Sequence, residues 1–342
     1  MLWAFWGSDK VRWKNNFFLK AKHPLYPDSY YLIDKIIEYA KIKNIELISL
    51  DQVRKTNKLD YIFCFDLPKF DNIFSKKILK DNKIKKILII NESKVIYSIN
   101  FQKNIYKYFY KIFTWADDLV DNKKFFKLYD GFDHNNLFIK NINKKYFSCM
   151  VNENKILNYD NSLYSKRLEC IKWFEKNHNA DFHLFGFNWD KRFIISRYKI
   201  IRLFNRINFL TKIFSYNFKC YKGTVKRSLK NKLSTLKNYK FSFVFENSSE
   251  NGWITEKLFH CFFSLTVPIY IGAPNINKYI PKNCIINFYD FNNYDELYNY
   301  LKKIKKKEYL NYIKKIKIFL SSSKYKKFTS HYNFKILLKK IK

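Results

Sequence analysis

The sequence predicts an α/β protein of two halves, each built on a parallel, doubly wound sheet, with a cleft between them. Three observations indicate this. The 342 residues exceed what one ordinary hydrophobic core holds. Short apolar runs of strand length alternate with longer segments at helical spacing. The apolar fraction of 47% is ample for packed cores and excludes a disordered chain.

The first half, predicted to span residues 1–145, alternates between helix and strand signals. Its predicted elements are a helix over 30–42, strands over 45–50 and 61–65, a helix over 73–80 and a strand over 86–90. The last of these strands is apolar throughout its final four residues and ends in the polar triplet Asn91-Glu92-Ser93. Polar residues at the end of a buried parallel strand are typical of functional sites.

The second half, predicted to span residues 146–300, repeats this alternation after a boundary near 141–145. Its predicted elements are a strand over 146–151, a helix over 162–176, strands over 181–185 and 240–245, a helix over 255–263 and strands over 267–271 and 284–288. No internal repeat is visible.

Residues 301–342 form a basic tail in which Lys-Lys pairs alternate with Ile, Leu and Phe at roughly helical spacing. Such a helical segment has two readings, and both stay open at this point. It can lie on an anionic membrane surface, or it can pack on the domains as an ordinary amphipathic helix.

Charge is the outlier in the composition, with 66 Lys and Arg against 29 Asp and Glu, a net charge of +37. A field of this sign attracts nucleic acid, anionic lipid or phosphorylated substrates. The lysines are spread over the whole chain, however, and Asn, Ile, Tyr and Phe are also abundant, which indicates a general compositional bias. We therefore expect no specific nucleic-acid partner, and an RNA-binding protein remains an alternative from a different class.

The six cysteines contain no C-x-x-C pair, which predicts reduced, mostly buried thiols rather than disulfides or a zinc site. The apolar start of the chain is short and is followed at once by charged residues, unlike a signal peptide. No apolar run approaches the roughly 20 residues of a membrane span. These features predict a cytoplasmic protein, with peripheral contact with the inner face of a membrane as the further option for the basic tail.

Three motifs are absent, and their absence limits the ways in which the protein could bind a nucleotide or a metal. The sequence has no G-x-G-x-x-G fingerprint, no P-loop and no Asp-x-Asp pair for a metal-bound nucleotide diphosphate, and its six histidines lack metal-ligand spacing. If the protein handles a diphosphate, it must neutralise the charge with Lys, Arg and helix N-termini. No metal or other cofactor is therefore expected to be required.

One stretch is more specific than its surroundings: the strand over 239–245, then Glu246-Asn247-Ser248, Gly252 and Trp253-Ile254-Thr255-Glu256-Lys257. A buried strand ending in polar residues leads to a helix that Thr255 is predicted to cap. Helix N-termini at the carboxyl ends of parallel strands bind phosphate, and Lys257 adds a full charge there. Glu246 fits a buried structural carboxylate tied to backbone N–H groups.

This stretch resembles the signature of the alpha-1,3/4-fucosyltransferases, glycosyltransferase family ten, which reads Y-K-F, F-E-N-S and [YW]-[IV]-T-E-K. The segments 266–274, T-V-P-I-Y-I-G-A-P, and 285–291, I-I-N-F-Y-D-F, are similar to later family motifs in the same order. The resemblance implies a GT-B fold of two Rossmann-like domains facing across a cleft, with GDP-fucose bound by the second. It also implies inverting transfer of fucose to a cell-surface glycan, such as the Gal-GlcNAc end of a lipopolysaccharide.

The resemblance assigns roles to individual residues. Glu92 matches the glutamate of the family's E-S motif, the general base, and Arg167 matches an arginine that grips the diphosphate. The remaining donor-site residues carried over are Asn247, Trp253, Glu256 and Lys257. A second enzymatic alternative is a GT-B transferase that uses another nucleotide sugar.

Overall fold

The computed structural model describes residues 1–7, 31–54, 58–68, 73–129, 132–133, 144–155, 160–189, 218–225 and 229–341. The chain divides into two compact units, the first comprising Met1–Asp133 with Lys327–Lys342 and the second His134–Lys326. The predicted boundary near 141–145 falls a few residues later, and 141–143 lie outside the described residues. Each unit is an α/β structure on a parallel sheet.

The first unit contains, in chain order, β1 (Leu2–Gly7), α1 (Tyr31–Ile42), β2 (Glu46–Ser49), β3 (Leu59–Phe65), α2 (Ile73–Lys80), β4 (Lys85–Ile90), β5 (Lys111–Thr114) and β6 (Phe125–Lys127). Within the described residues, six strands lie in the order β2-β1-β3-β4-β5-β6, and their pairings are parallel. The five elements predicted for this half are present, whereas β1, β5 and β6 were not predicted. The interior strands are buried along most of their length, as parallel sheets covered on both faces require.

The second unit contains β7 (Tyr146–Val151), α3 (Tyr164–Asn177), β8 (Phe182–Phe185), α4 (Leu229–Leu236), β9 (Tyr239–Phe245), α5 (Glu256–Phe263), β10 (Val267–Ile271), β11 (Ile286–Asn287), α6 (Tyr294–Lys303), α7 (Lys306–Leu320) and α8 (Ser323–Lys326). The sheet order is β11-β10-β9-β7-β8, again parallel throughout. The strand predicted over 284–288 is wrong in its extent: only β11 pairs in the sheet, and short 3₁₀ turns at Lys282–Cys284 and Phe288–Asp290 lie on either side of it.

The basic tail does not form one segment. Its first helices belong to the second unit, while the last helix, α9 (Ser330–Ile341), belongs to the first. Leu337 and Ile341 are buried in the core that β1, β3 and β4 share with α1, and the Tyr61 hydroxyl donates to the Ile341 carbonyl at 2.8 Å. Burial of this apolar face makes α9 a structural part of the first unit.

In each sheet the carboxyl ends of neighbouring parallel strands meet at one edge, which brings together the segments that follow them. In the second unit these are the residues after β7, β9 and β10; in the first they are the residues after β3 and β4. All six cysteines are buried free thiols. Among the described residues, no helix combines the length and the apolar character needed to cross a membrane.

Candidate functional site

Glu246 directly follows β9 and is completely buried. Its two carboxylate oxygens accept hydrogen bonds from the Thr255 backbone N–H at 2.8 Å and from the Thr255 hydroxyl at 2.6 Å. Burial raises the pKa of Glu246, and the neighbouring Lys257 and the Thr255 bonds oppose this rise. The sequence favoured a structural carboxylate tied to backbone N–H groups; one of these two bonds comes from a backbone N–H and the other from a hydroxyl.

Thr255 occupies the position before α5, with extended backbone angles of φ −110° and ψ −179°. The prediction that it caps the helix is wrong with respect to its side chain, which makes no cap hydrogen bond. Its hydroxyl instead donates to Glu246 and accepts from the Lys257 amine at 3.0 Å. The hydrogen bond between the hydroxyl and a carboxylate is stronger than the one between the hydroxyl and a helix N–H. The hydroxyl therefore turns toward Glu246.

Lys257 lies in the first turn of α5, between two carboxylates. Its amine is 3.5 Å from a Glu246 oxygen and 3.6 Å from a Glu256 oxygen, and about a fifth of its side chain is exposed. Burial alone would lower the pKa of Lys257, but Glu256 and Glu246 together raise it above its ordinary value. The amine therefore stays protonated, and the side chain as a whole remains partly exposed.

Glu256 is the most exposed member of this group. Burial would raise the pKa of Glu256, but Lys257, Lys232 and His260 lower it to about 2. The carboxylate is therefore ionised at neutral pH, and it is available to accept hydrogen bonds from hydroxyl groups.

Arg167 lies on α3, and 2% of its surface is exposed. Its Nη1 donates to the Glu153 carbonyl at 3.0 Å, and its guanidinium stands 4.7 Å from the centre of the Tyr164 ring. In the part of the chain that the structure describes, its Nε and Nη2 donate to no acceptor. Burial lowers the pKa of Arg167 to about 10, which still leaves it charged at neutral pH.

A buried cation with two unused donors is unfavourable unless an anion completes its hydrogen bonds. The charge of Glu246 raises the pKa of Arg167, and the charge of Arg167 lowers the pKa of Lys257. The three side chains therefore form one electrostatic cluster. The fork of Nε and Nη2 has the geometry that binds carboxylate or phosphate oxygens in pairs. The cluster is therefore suited to a doubly charged anion such as a diphosphate.

Asn247 and Trp253 contribute backbone contacts. The Asn247 carbonyl accepts from the Leu163 backbone N–H at 3.1 Å, which ties the end of β9 to the start of α3. The Trp253 carbonyl accepts from the Tyr270 hydroxyl at 3.2 Å, and its ring is 4% exposed. The nucleoside contact predicted for Trp253 would use a ring that lies almost wholly in the interior.

Gly272 belongs to a family-like motif but had no role assigned from the sequence. A Cβ atom there would lie 2.6 Å from Glu246 Cγ and 2.5 Å from the Tyr270 hydroxyl oxygen. The glycine therefore lets the β10 end approach the buried carboxylate closely. Tyr164 was also missed, although its place one helical turn before Arg167 puts the two side chains on one face of α3.

Glu92 lies in the first unit, just after β4, whereas the other five predicted site residues lie in the second unit. It is partly exposed, and its backbone N–H donates to the Asp66 carboxylate at 3.0 Å. Within the second unit the structure brings Arg167, Glu256 and Lys257 together around Glu246. No group of three or more His, Cys, Asp or Glu side chains in the described residues is placed to hold a metal ion.

Comparison with known sequences finds a family model that matches part of the chain. Residues 187–336 match the model of the glycosyltransferase family 10 (fucosyltransferase) C-terminal region. This segment is similar to that family over somewhat less than half of the chain. It contains Asn247, Trp253, Glu256 and Lys257, while Glu92 and Arg167 precede it.

Two curated relatives illustrate the similarity. The chain is 40% identical over 81 residues to the alpha-(1,3)-fucosyltransferase FucT of Helicobacter pylori, which is 24% of this chain and 17% of that protein. It is 39% identical over 79 residues to the human 4-galactosyl-N-acetylglucosaminide 3-alpha-L-fucosyltransferase 9, which is 22% of each. The chain thus matches 17% and 22% of the length of these relatives.

Solved structures resemble the chain over nearly its whole length. An alpha1,3-fucosyltransferase crystallised with GDP is 14% identical with a TM-score of 0.55, covering 100% of this chain and 90% of that one. An alpha-glucosyltransferase in complex with UDP-glucose and DNA is 10% identical with a TM-score of 0.59, covering 99% and 98%. At these identities the likeness concerns the fold, and it confirms the predicted GT-B class.

Proposed function

We propose that this protein is an inverting fucosyltransferase that moves L-fucose from GDP-fucose to a hydroxyl of a cell-surface glycan, O3 of N-acetylglucosamine. One observation carries the proposal: the buried guanidinium of Arg167 lies in one cluster with the amine of Lys257, at the strand edge whose sequence matches family 10. The fold alone does not decide the donor, because a protein of similar fold was crystallised with UDP-glucose. The sequence match to the fucosyltransferase family favours GDP-fucose.

The donor contacts follow from the charges in the cluster. Arg167 donates through Nε and Nη2 to diphosphate oxygens, and Lys257 neutralises the charge that builds on departing GDP. Two protein cations thereby take the part that a divalent metal plays in other transferases, so no metal is required. Glu256 accepts from sugar or ribose hydroxyls and stabilises positive charge developing on the fucose ring, while Asn247 and Trp253 contact the nucleoside or sugar.

Glu92 is the general base. The acceptor oxygen attacks C1 of fucose from the side opposite to GDP and gives its proton to the Glu92 carboxylate. The bond between C1 and the phosphate oxygen breaks, its electron pair leaves with GDP, and the β-linked donor becomes an α-linked product. The position of Glu92 after a buried strand, with its backbone hydrogen-bonded, supports this role because a base must be held at a defined place.

The proposal is tested by measuring GDP or UDP release from GDP-fucose, GDP-mannose and UDP-glucose, with N-acetyllactosamine as acceptor and a chelator present. We expect turnover with GDP-fucose and at least 100-fold less with the other donors, a ratio within the reach of specific hydrogen bonding to substrate hydroxyls. Turnover with GDP-mannose or UDP-glucose but none with GDP-fucose would support the alternative of another nucleotide sugar. Turnover that stops in chelator would contradict the metal-free mechanism.

We also propose that α7 makes peripheral contact with anionic membrane. Leu310 and Ile318 are 41% and 53% exposed, and they share one face of α7 with the exposed Lys306, Lys314 and Lys317. Apolar and cationic groups on one helix face favour an anionic lipid surface. The glycolipid form of the acceptor would then be close to the enzyme.

This contact is tested by co-sedimentation with vesicles that contain anionic lipid, compared with neutral vesicles. Replacing Lys306, Lys314 and Lys317 by Gln should abolish binding to anionic vesicles. A matched triple variant, Lys230→Gln, Lys237→Gln and Lys240→Gln, removes the same charge from other exposed sites and should retain it. Equal loss in both variants would indicate a general charge effect. Deleting the chain end is unsuitable, because α9 contributes to the core of the first unit.

A further inference from the structure

The ends of β3 and β4 lie side by side at the edge that carries Glu92. The two strands pair in parallel, with Phe65 opposite Ile89, and the Asp66 backbone N–H continues the ladder by donating to the Ile89 carbonyl at 2.8 Å. Asp66 therefore stands directly beside the segment that leads into Glu92.

Asp66 has a left-handed backbone conformation, with φ +60°, and is 7% exposed. Few residue types other than glycine adopt this region without cost, and aspartate and asparagine are among those that do. The carboxylate of this residue accepts hydrogen bonds from the segment that follows the neighbouring strand β4. An unusual backbone angle at a buried acid is a reason to ask what the side chain holds.

The Asp66 carboxylate holds the start of the Glu92 segment. One oxygen, Oδ1, accepts from the Asn91 backbone N–H at 2.8 Å, the Glu92 backbone N–H at 3.0 Å and the Asn100 side-chain amide at 2.7 Å. Two successive N–H groups pointing at one oxygen determine the orientation of the two peptide units on either side of Asn91. Because three donors share this one oxygen, rotation of the segment at Asn91 would break several hydrogen bonds together.

Asn100 completes the arrangement and is fully buried. Its amide nitrogen donates to Asp66, and its amide oxygen accepts from the Leu67 backbone N–H at 2.7 Å. The partners leave one choice for the amide orientation, because a carboxylate only accepts and a backbone N–H only donates. The Asn100 nitrogen also lies 3.4 Å from the Glu92 carbonyl.

Two tyrosines brace this network. The Tyr97 hydroxyl donates to the Leu67 carbonyl at 2.8 Å, and the Tyr106 hydroxyl donates to the Asn100 carbonyl. The segment after β3 and the one after β4 are thus connected through side chains that are 34 residues apart in sequence.

We propose that Asp66 and Asn100 are positioning residues that hold the backbone of Glu92 in the orientation needed for proton abstraction, an inference that rests on the proposed role of Glu92. The two residues do not touch substrate. They act by preventing rotation of the peptide units on either side of Asn91, which would swing the Glu92 carboxylate away from the acceptor hydroxyl. A misplacement of about 1 Å is enough to lower a rate by about 100-fold.

The experiment compares Asn100→Ala with a matched control, Asn333→Ala. Asn333 is also a buried asparagine of the first unit; its amide bonds to Tyr129, Lys327 and Thr329 and has no link to Glu92. We expect Asn100→Ala to lower kcat for transfer to N-acetyllactosamine by about 10- to 100-fold, with the KM for GDP-fucose and the Kd for GDP within about twofold. Asn333→Ala should retain kcat within about twofold even if its Tm falls by as much as that of Asn100→Ala.

A second pair of variants separates the acceptor atom from the backbone conformation. Asp66→Asn retains an oxygen acceptor and a residue type that tolerates the left-handed region, so we expect most of kcat to be retained. Asp66→Ala removes the acceptor and should lower kcat as strongly as Asn100→Ala.

Hydrogen exchange provides a readout that is independent of activity. The amides of Asn91 and Glu92 should exchange at least about tenfold faster in Asn100→Ala than in the wild type. Their exchange rates should be unchanged in Asn333→Ala. Unchanged exchange in Asn100→Ala, or equal kcat losses in the two asparagine variants, would overturn the positioning role. If Glu92→Ala is inactive in the same assay, the proposed function still stands. An active Glu92→Ala would instead overturn the proposed function and this inference with it.

Discussion

Each unit places a buried carboxylate directly after a central strand, Asp66 after β3 and Glu246 after β9, but the two acids bind different partners. Asp66 accepts from two backbone N–H groups and a side-chain amide, whereas Glu246 accepts from Thr255 and lies beside the cation of Lys257. In both cases the acid fixes the segment that carries a proposed functional residue. The difference is that the second unit holds a charge in place, and the first holds a backbone.

The largest effect is expected from Glu246→Ala. The substitution leaves the Thr255 N–H and hydroxyl without their buried acceptor and leaves Lys257 facing the cation of Arg167, so we expect a loss of about 3–5 kcal/mol in unfolding free energy. Denaturant unfolding of the purified protein measures it. Asp66→Ala, which leaves only neutral donors without their acceptor, should cost about 1–3 kcal/mol. Equal losses at the two sites would remove the distinction between the two acids.

Arg167→Met is expected to separate binding from stability. Methionine fills similar volume without a buried charge, so the Tm should be equal to or above that of the wild type. The Kd for GDP should rise at least about 100-fold, because the paired donors to the diphosphate are lost. Thermal unfolding and calorimetric titration with GDP measure the two quantities. A large fall in Tm would mean that Arg167 is a structural residue.

Gly272→Ala tests the close packing around Glu246. The added methyl overlaps Glu246 and the Tyr270 hydroxyl, so we expect a loss of about 1–3 kcal/mol and weaker GDP binding as Lys257 is displaced. Gly223 provides a comparison, since it has positive φ but open space around it. Gly223→Ala should therefore destabilise through backbone strain alone and leave GDP binding unchanged.

The smallest effect concerns pH. Burial, together with Lys232 and Lys257, lowers the pKa of His260 from 6.5 to about 3, with Glu256 opposing. Between these values the unfolded state binds a proton that the folded state does not, so stability falls as the pH falls below 6.5. His260 should account for about 1 kcal/mol of the loss between pH 7 and 5.5. Comparing Tm at the two values, His260→Gln should show a smaller fall than the wild type; an equal fall would contradict the assignment.

The sequence predicted the elements whose apolar residues recur at regular spacing, such as β4, β9 and α1, since burial of one face decides these segments. It did not predict β1, β5 and β6, which are three to six residues long and carry too little pattern of their own. The placement of α9 in the first unit was also beyond reach, because spacing reveals an apolar face but not what covers it.

The features of the candidate site likewise fall into those that the sequence predicted and those that it did not. Lys257, Glu256 and Asn247 stand in a contiguous motif, which made them visible in the sequence. The hydrogen bond between Asp66 and Asn100 joins residues 34 positions apart and exists only once two strands lie side by side. The turn of the Thr255 hydroxyl away from its helix likewise depends on a carboxylate nine residues earlier.

We propose that a base on the first unit and a pair of cations on the second carry out transfer from GDP-fucose. The most direct test measures fucose transfer to N-acetyllactosamine and GDP affinity for the wild type, Glu92→Gln and Lys257→Ala. We predict that Glu92→Gln binds GDP like the wild type but transfers at least about 1,000-fold more slowly, while Lys257→Ala loses GDP affinity and transfer together. Full transfer by Glu92→Gln, or unchanged GDP binding by Lys257→Ala, would contradict the claim.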